Sequence, residues 1–419
     1  MNFDRGHQVC QYRNCFEVNG SKNRKDNAMK RANHNHWLLI GIVAAGLVTS
    51  WAVSPARAIP PDPDNAALLY YQAFLTVADL DKEARDNIAD VAKGTVAPNE
   101  KTREYISKCH GAIDFADAAK DLQVCHWGFR YSKGFEALMP HLAQMRFLAF
   151  VMLADARVRA VDGDYRGALE RCLQMGTFAR HVGDDTLIAY LVGVAVQRLG
   201  YECMDDIVGL AAGDAELLRW LKHELATAGG KSLSPVTSLK IEMEIALDLM
   251  RMEKIDEFAR VIAGSEQKDL EKLVASADEP TLERARRLYS EYFKSALAVL
   301  SASTPYEQAH AELSRLLSGV DASDPASAVV KSLTPALAPT LSAKTSIEAY
   351  ANATKAAVDI CLKRAETGQL PQLLPEGLPK DPFSGQDFQY ERTSTGLTLR
   401  CRGKDLAKNK TYEYAFAVK

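Results

Sequence analysis

Residues 150–183 read FVMLADARVRAVDGDYRGALERCLQMGTFARHVG, and the pattern within them decides the architecture. Ahead of Asp162-Gly163-Asp164 the residues are apolar almost all round, which predicts a helix at the centre of a body rather than on its surface. The triplet itself is a break, because Gly163 permits a tight turn. Beyond it, Tyr165, Ala168, Leu169, Cys172, Met175 and Ala179 recur at three- and four-residue steps, the period of a new helix. Alanines at 156, 160 and 168 keep the crossing slim enough for the two helices to approach closely.

The same period extends in both directions. Residues 135–161 align Leu138, Leu142, Met145, Ala149, Met152 and Ala156, while 65–79 place Ala67, Tyr70, Tyr71, Phe74 and Val77 on one face. The stretch 99–122 continues in the same manner. After a break at Gly183-Asp184-Asp185, Leu187, Ile188, Leu191, Val192, Ala195, Val196 and Leu199 define another helix. Ser234-Pro235 pairs a capping hydroxyl with a proline suited to a first helical turn. The apolar line Ile241, Ile245, Leu249, Met252, Ile255, Ala259 and Ile262 then predicts one helix ending at Gly264. Thr304-Pro305-Tyr306-Glu307 reads as a capping box, with Gly319 closing its helix. An all-α body is therefore expected over 65–320.

Residues 321–344 are rich in Ala, Ser and Pro, with prolines at 325, 335 and 339, and predict a linker. Over 345–419 the expectation is a small α+β tail. Thr345-Ser346-Ile347-Glu348 offers a second capping box, for a helix running to Gly368. A loop to Pro382 follows, and then the period changes to two: Phe388, Tyr390 and Arg392; Leu397, Leu399 and Cys401; Tyr412, Tyr414, Phe416 and Val418. With Ser394-Thr395-Gly396 as a turn, these runs predict a three-stranded antiparallel meander. The fold class is mainly α, an irregular helical-hairpin array followed by this small α+β module.

The N-terminal region has its own signature. Trp37 to Val53 reads WLLIGIVAAGLVTSWAV, uncharged throughout, after Lys30 and Arg31 and before Ala56-Arg57-Ala58. Basic, apolar and small-residue parts in that order predict a signal peptide over 29–58. Residues 1–28 are too long and polar for its leader, and Met29 supplies an alternative start. The competing expectation is an uncleaved anchor, since these seventeen residues sit at the lower limit for spanning a bilayer. Residues 59–64, IPPDPD, form a proline spacer. The protein is thus expected to be exported, to the periplasm or cell envelope, with membrane contact only through residues 37–53.

Chemistry is harder to find. A net charge of −3 gives no basic excess to attract nucleic acid. No nucleophile elbow, phosphate loop or His-Glu-x-x-His helix occurs, so no catalytic residue, cofactor or metal set is assigned. Cys109-His110 and Cys125-His126 supply zinc-type donors without the usual paired spacing, and read as a helix-to-helix disulfide or unrelated buried thiols. Cys361 shares a helix face with Tyr350, Ala353, Ala357 and Ile360, and Cys401 shares a strand side with Leu397 and Leu399. Both sulfurs should then meet at the helix–sheet interface, where a disulfide would contribute about 2–4 kcal/mol. Cys172 and Cys203, on neighbouring helices, form a second candidate pair. Asp184-Asp185 and Asp205-Asp206 read as solvated caps at helix ends. His126, Trp127, Phe129, Arg130 and Tyr131 read as an aromatic cluster at a helix junction.

Two family resemblances attach to these residues. Ala156, Ala160, Gly163-Asp164-Tyr165 and Ala168-Leu169 resemble one tetratricopeptide-like hairpin unit, which covers a small part of the chain. The layout as a whole, with Asp381-Pro382-Phe383-Ser384-Gly385 in the tail, resembles a group of exported bacterial proteins of uncharacterised function. That tail is similar to the globular end of type II secretion pseudopilins. The N-terminal apolar segment lacks the pseudopilin processing motif, which sets pilus assembly aside. These resemblances imply a helical scaffold that binds another protein or peptide. The rival expectations are an extracytoplasmic enzyme with a dispersed site and an envelope or secretion assembly component.

Overall fold

The computed structural model describes residues 61–418 apart from 78, 228–232, 264–273, 275–276, 319–323 and 335–336. The expected leader, signal segment and cleavage site, and the helix ends at Gly264 and Gly319, lie outside the described residues. The chain from Asp62 onward forms one compact unit that is mainly helical, with a small antiparallel sheet at its C-terminal end.

Helices α1 (Ala66–Thr76), α2 (Lys82–Ala92), α3 (Glu100–Lys108) and α4 (His110–Ala119) open the unit. Next comes α5 (His141–Val161), whose Met145, Leu148, Ala149, Val151, Met152, Leu153, Ala154 and Ala156 are all buried. It packs against α2, α6 (Tyr165–Gly183) and α7 (Leu187–Leu210), as a helix apolar on all sides must. Between α5 and α6 the turn takes the expected form. Gly163 adopts φ +86°, and the Asp164 side chain accepts from the Gly167 amide at 2.9 Å. Leu138 departs from its expected place on the buried line. Helix α5 starts only after Pro140 and leaves Leu138 86% exposed.

Helix α8 (Ala215–Thr227) follows, then α9 (Pro235–Leu249), which Ser234 caps as expected. The single helix expected from 235 to 264 is instead broken. A 3-10 turn at Met252–Lys254 separates α9 from α10 (Ile255–Ala263), and Met250 is drawn into the core. Neither glycine nor proline marks the break, so the pull of tertiary burial overrides the local period here. Helices α11 (Glu279–Ser301) and α12 (Tyr306–Ser318) complete the expected body.

The expected linker is helical in the structure. Asp324 caps α13 (Pro325–Leu333), whose proline occupies a first-turn position that needs no amide donor. Helix α14 (Leu337–Thr367) then runs for 31 residues. Thr345 and Ser346 therefore lie inside a helix, where their hydroxyls donate back to the Leu341 and Ala343 carbonyls instead of capping a new start. Gly368, at φ +79°, ends α14 where expected.

The tail matches its expected strands: β1 (Gln389–Thr393), β2 (Gly396–Arg400) and β3 (Glu413–Ala417), in that order and antiparallel. The Asp381-Pro-Phe-Ser-Gly turn is organised by one buried carboxylate. Asp381 accepts from the amides of Phe383, Arg402 and Gly403 at 2.8–2.9 Å and from the Ser384 hydroxyl at 2.7 Å. The tail is not a separate module, because Asp405 ties it to the rest. Its carboxylate accepts from Tyr306 of α12, Ser342 of α14 and Tyr412, at 3.1, 2.5 and 2.9 Å. Burial alone would raise the pKa of Asp405, but these donors more than offset it and hold the group below the carboxylate range. Replacing Asp381 with Ala should strand several buried amides and cost about 3 kcal/mol or more in a urea melt. A loss under about 1 kcal/mol would show that the turn holds itself.

Candidate functional site

A cleft with an apolar floor lies where α14 crosses α6 and α7, and it encloses about 500 Å³. Helix α6 supplies Cys172, Met175, Gly176 and Arg180, α7 supplies Gln197, Tyr201 and Met204, and α14 supplies Lys344, Ile347, Glu348, Asn352 and Lys355. Leu225 and Leu233 close one end. The floor is thioether, thiol and aliphatic, while the rim is cationic. Arg180 donates to the Thr177 hydroxyl at 3.0 Å, and Lys344 to the Leu300 carbonyl at 3.2 Å. Lys355 forms no ion pair among the described residues. Glu348 is the single carboxylate of the lining, which contains no histidine. A second cleft of about 300 Å³ shares Ile347 and opens toward β3 past Tyr350, Tyr412 and Tyr414.

Beneath the two clefts, α7 and α14 are clasped through a polar contact. Asp205 is buried and accepts from the Thr354 hydroxyl at 2.9 Å. Burial pushes its carboxyl well above the usual range, and the bonds from Thr354 and Tyr350 only partly offset this. Tyr350 stacks on Tyr201 at 5.7 Å and tilts against Tyr414 at 4.7 Å. The expectation that Asp205-Asp206 is a solvated cap is thus corrected. The pair lies within α7, with Asp205 facing the core and Asp206 bound to Arg157 at 2.8 Å.

Other candidates from the sequence fall elsewhere. Cys361 and Cys401 are both buried, as their faces predict, yet both are free thiols, as are all six described cysteines. Cys109 is buried while His110 is exposed, and Cys125 is half-buried while His126 is exposed. Adjacent residues on a helix or loop diverge, so the two Cys-His pairs do not converge. Among the described residues no three His, Cys, Asp or Glu side chains are placed to share a metal. Cys172 and Cys203 are both buried free thiols on the packed helices α6 and α7.

The aromatic cluster does form at a helix junction. Trp127 packs between Tyr70, Phe74 and His141, and its indole donates to the His181 carbonyl at 2.8 Å. His181 bridges the Leu122 carbonyl at 3.0 Å and the Tyr70 hydroxyl at 2.9 Å, so Nε2 carries its proton. Burial pushes both His141 and His181 down to about 4, which leaves them neutral structural groups at neutral pH. Neither lines the clefts.

No known protein family, curated protein or solved structure matches the chain. The geometry must therefore speak through its own chemistry. The cleft is lined by one carboxylate, Glu348, beside Lys344, Lys355 and Tyr201. What it offers is an apolar bed with positive charge above it.

The Asp205 clasp makes a testable contribution to stability. Its folded pKa is raised, so above about pH 4 the unfolded chain releases a proton that the folded chain keeps. Stability contributed at low pH is then lost as pH rises. Asp205→Asn should flatten the fall in the urea midpoint between pH 5 and pH 8. Thr354→Val, which removes the donor and leaves the carboxyl buried, should cost about 1–3 kcal/mol. An unchanged pH profile in Asp205→Asn would refute the assignment.

Proposed function

We propose that this is an exported helical scaffold, acting in the cell envelope, that binds a segment of another protein in the cleft between α6, α7 and α14. The observation carrying this reading is the pairing of an apolar floor with Arg180, Lys344 and Lys355 on the rim, against Glu348 alone. Apolar side chains gain about 25 cal/mol per Å² on leaving water for such a floor. Rim cations add selectivity and a faster encounter for a negatively charged partner. The fitting ligand is thus a peptide segment carrying apolar residues beside Asp or Glu. Its volume falls within the range of small-ligand and peptide-side-chain pockets.

Export is supported by the uncharged run Trp37–Val53 between Lys30-Arg31 and Ala56-Arg57-Ala58. Stacked helical hairpins commonly supply extended binding surface, an analogy of fold that agrees with this reading.

Labelled acidic-apolar peptides titrated into the full chain test the cleft by fluorescence anisotropy. Lys355→Glu combined with Lys344→Gln should weaken binding about tenfold or more, and raised salt should do the same. Equal affinity for a basic peptide of matched hydrophobicity would overturn the reading. For export, N-terminal sequencing of the protein from its native source should find a chain beginning at Ile59. A cytosolic protein retaining Trp37–Val53 would refute it.

A further inference from the structure

We propose that the loop joining β2 to β3 is a docking surface for a membrane bearing anionic headgroups. From 400 to 413 the sequence reads RCRGKDLAKNKTYE, five cations against two carboxylates. Glu413 is taken by Arg400 in an ion pair across the strands, and Asp405 is buried. The other four cations, Arg402, Lys404, Lys408 and Lys410, are exposed and form no ion pair among the described residues. Arg402 donates to the Asp387 carbonyl at 2.9 Å, and Lys410 lies over the Tyr412 ring at 5.2 Å. These contacts place the two charges without neutralising them. Set against Asp405, the four cations leave the loop at +3 in a chain whose net charge is −3, so the excess is local.

The loop is organised before any partner arrives. The Asp405 amide donates to the Lys410 carbonyl at 2.8 Å, and the Lys410 amide returns to the Asp405 carbonyl at 3.2 Å. Inside this bridge the Asp405 carboxylate accepts from the Ala407 and Lys408 amides at 3.1 and 3.2 Å. The Tyr306 hydroxyl of α12 accepts from the Leu406 amide at 3.1 Å, and Asn409, at φ +54°, turns the chain back. A loop already in its docked form loses little entropy on binding. Its tip, 406–409, is exposed throughout, and Leu406 is 42% exposed although its neighbour Asp405 is buried. An apolar side chain among cations is the composition that settles at a lipid–water interface. Each cation near an anionic surface strengthens partitioning by about fivefold. An acidic protein would satisfy the charges, but it would need a matching pocket for Leu406. The headgroup boundary of a bilayer receives apolar atoms anywhere along it, which favours lipid.

This surface needs neither the cleft between α6, α7 and α14 nor residues 37–53, so it stands or falls separately from the peptide reading. The test is lysine acetylation of the full chain, read by mass spectrometry, with vesicles of phosphatidylcholine alone or mixed with phosphatidylglycerol. Lys404, Lys408 and Lys410 should react about tenfold more slowly with the mixed vesicles, while Lys82 on α2 reacts alike with both. Raised salt should shrink the difference. The chain beginning at Ile59, which keeps the compact unit from Asp62 onward, gives a second readout. Its partitioning onto mixed vesicles should weaken about 100-fold when Lys404→Gln, Lys408→Gln and Lys410→Gln are combined, and about tenfold in Leu406→Ser. Equal acetylation with both vesicles, or unchanged partitioning of the triple variant, would overturn the proposal. So would protection by glycerol phosphate in solution equal to that by mixed vesicles, or protection by polyglutamate but not by vesicles.

Discussion

The close crossing of α6 and α7 is the constraint on which the rest of the structure depends. A Cβ at Gly193 would stand 2.6 Å from the Ala179 carbonyl oxygen, and one at Gly200 would meet Met175. Backbones can come this near only where one of them carries no side chain. The contact fixes α7 against α6, and α7 then offers its other side to α14 and β3. The cleft floor and the Asp205 clasp both follow from that one approach.

Polar groups decide how the C-terminal part joins the rest. Asp381 organises its turn from within, and Asp405 reaches out to α12 and α14. Both carboxylates are buried with several donors, the condition under which burial of charge is tolerable. Helix α14 carries the union further, since its first turns pack on α12 and its remainder on α7, α8 and the sheet. A segment poor in periodicity thus becomes a continuous helix because neighbours on several sides bury its alanines.

The two clefts divide polar from apolar function in a simple way. The floor of the first is built from residues whose first task is helix packing and its rim from long cations on α6 and α14, while the second carries Arg198 and Lys410. The two buried histidines, His141 and His181, sit elsewhere, in the aromatic junction around Trp127. The groove between α6, α7 and α14 thus presents apolar surface beneath a positive edge.

Local pattern was legible wherever the sequence alone determines the backbone. The 3.6 period placed α1, α5, α6 and α7 in outline, a capping sequence marked α12, Gly163 and Gly368 marked true ends, and alternation found all three strands. These depend on side chains a few residues apart, which the sequence states directly. Tertiary structure decided what long-range contact controls: the break after Leu249, the helix through 337–344 and the burial of Asp205. Cys361 and Cys401 each lie on the buried face that the period assigns, yet a face does not fix an axial position, and the register between a helix and a sheet is set by packing across the whole interface. Likewise α6 and α7 touch because Gly193 and Gly200 carry no side chain at the crossing, a closeness that no local period states.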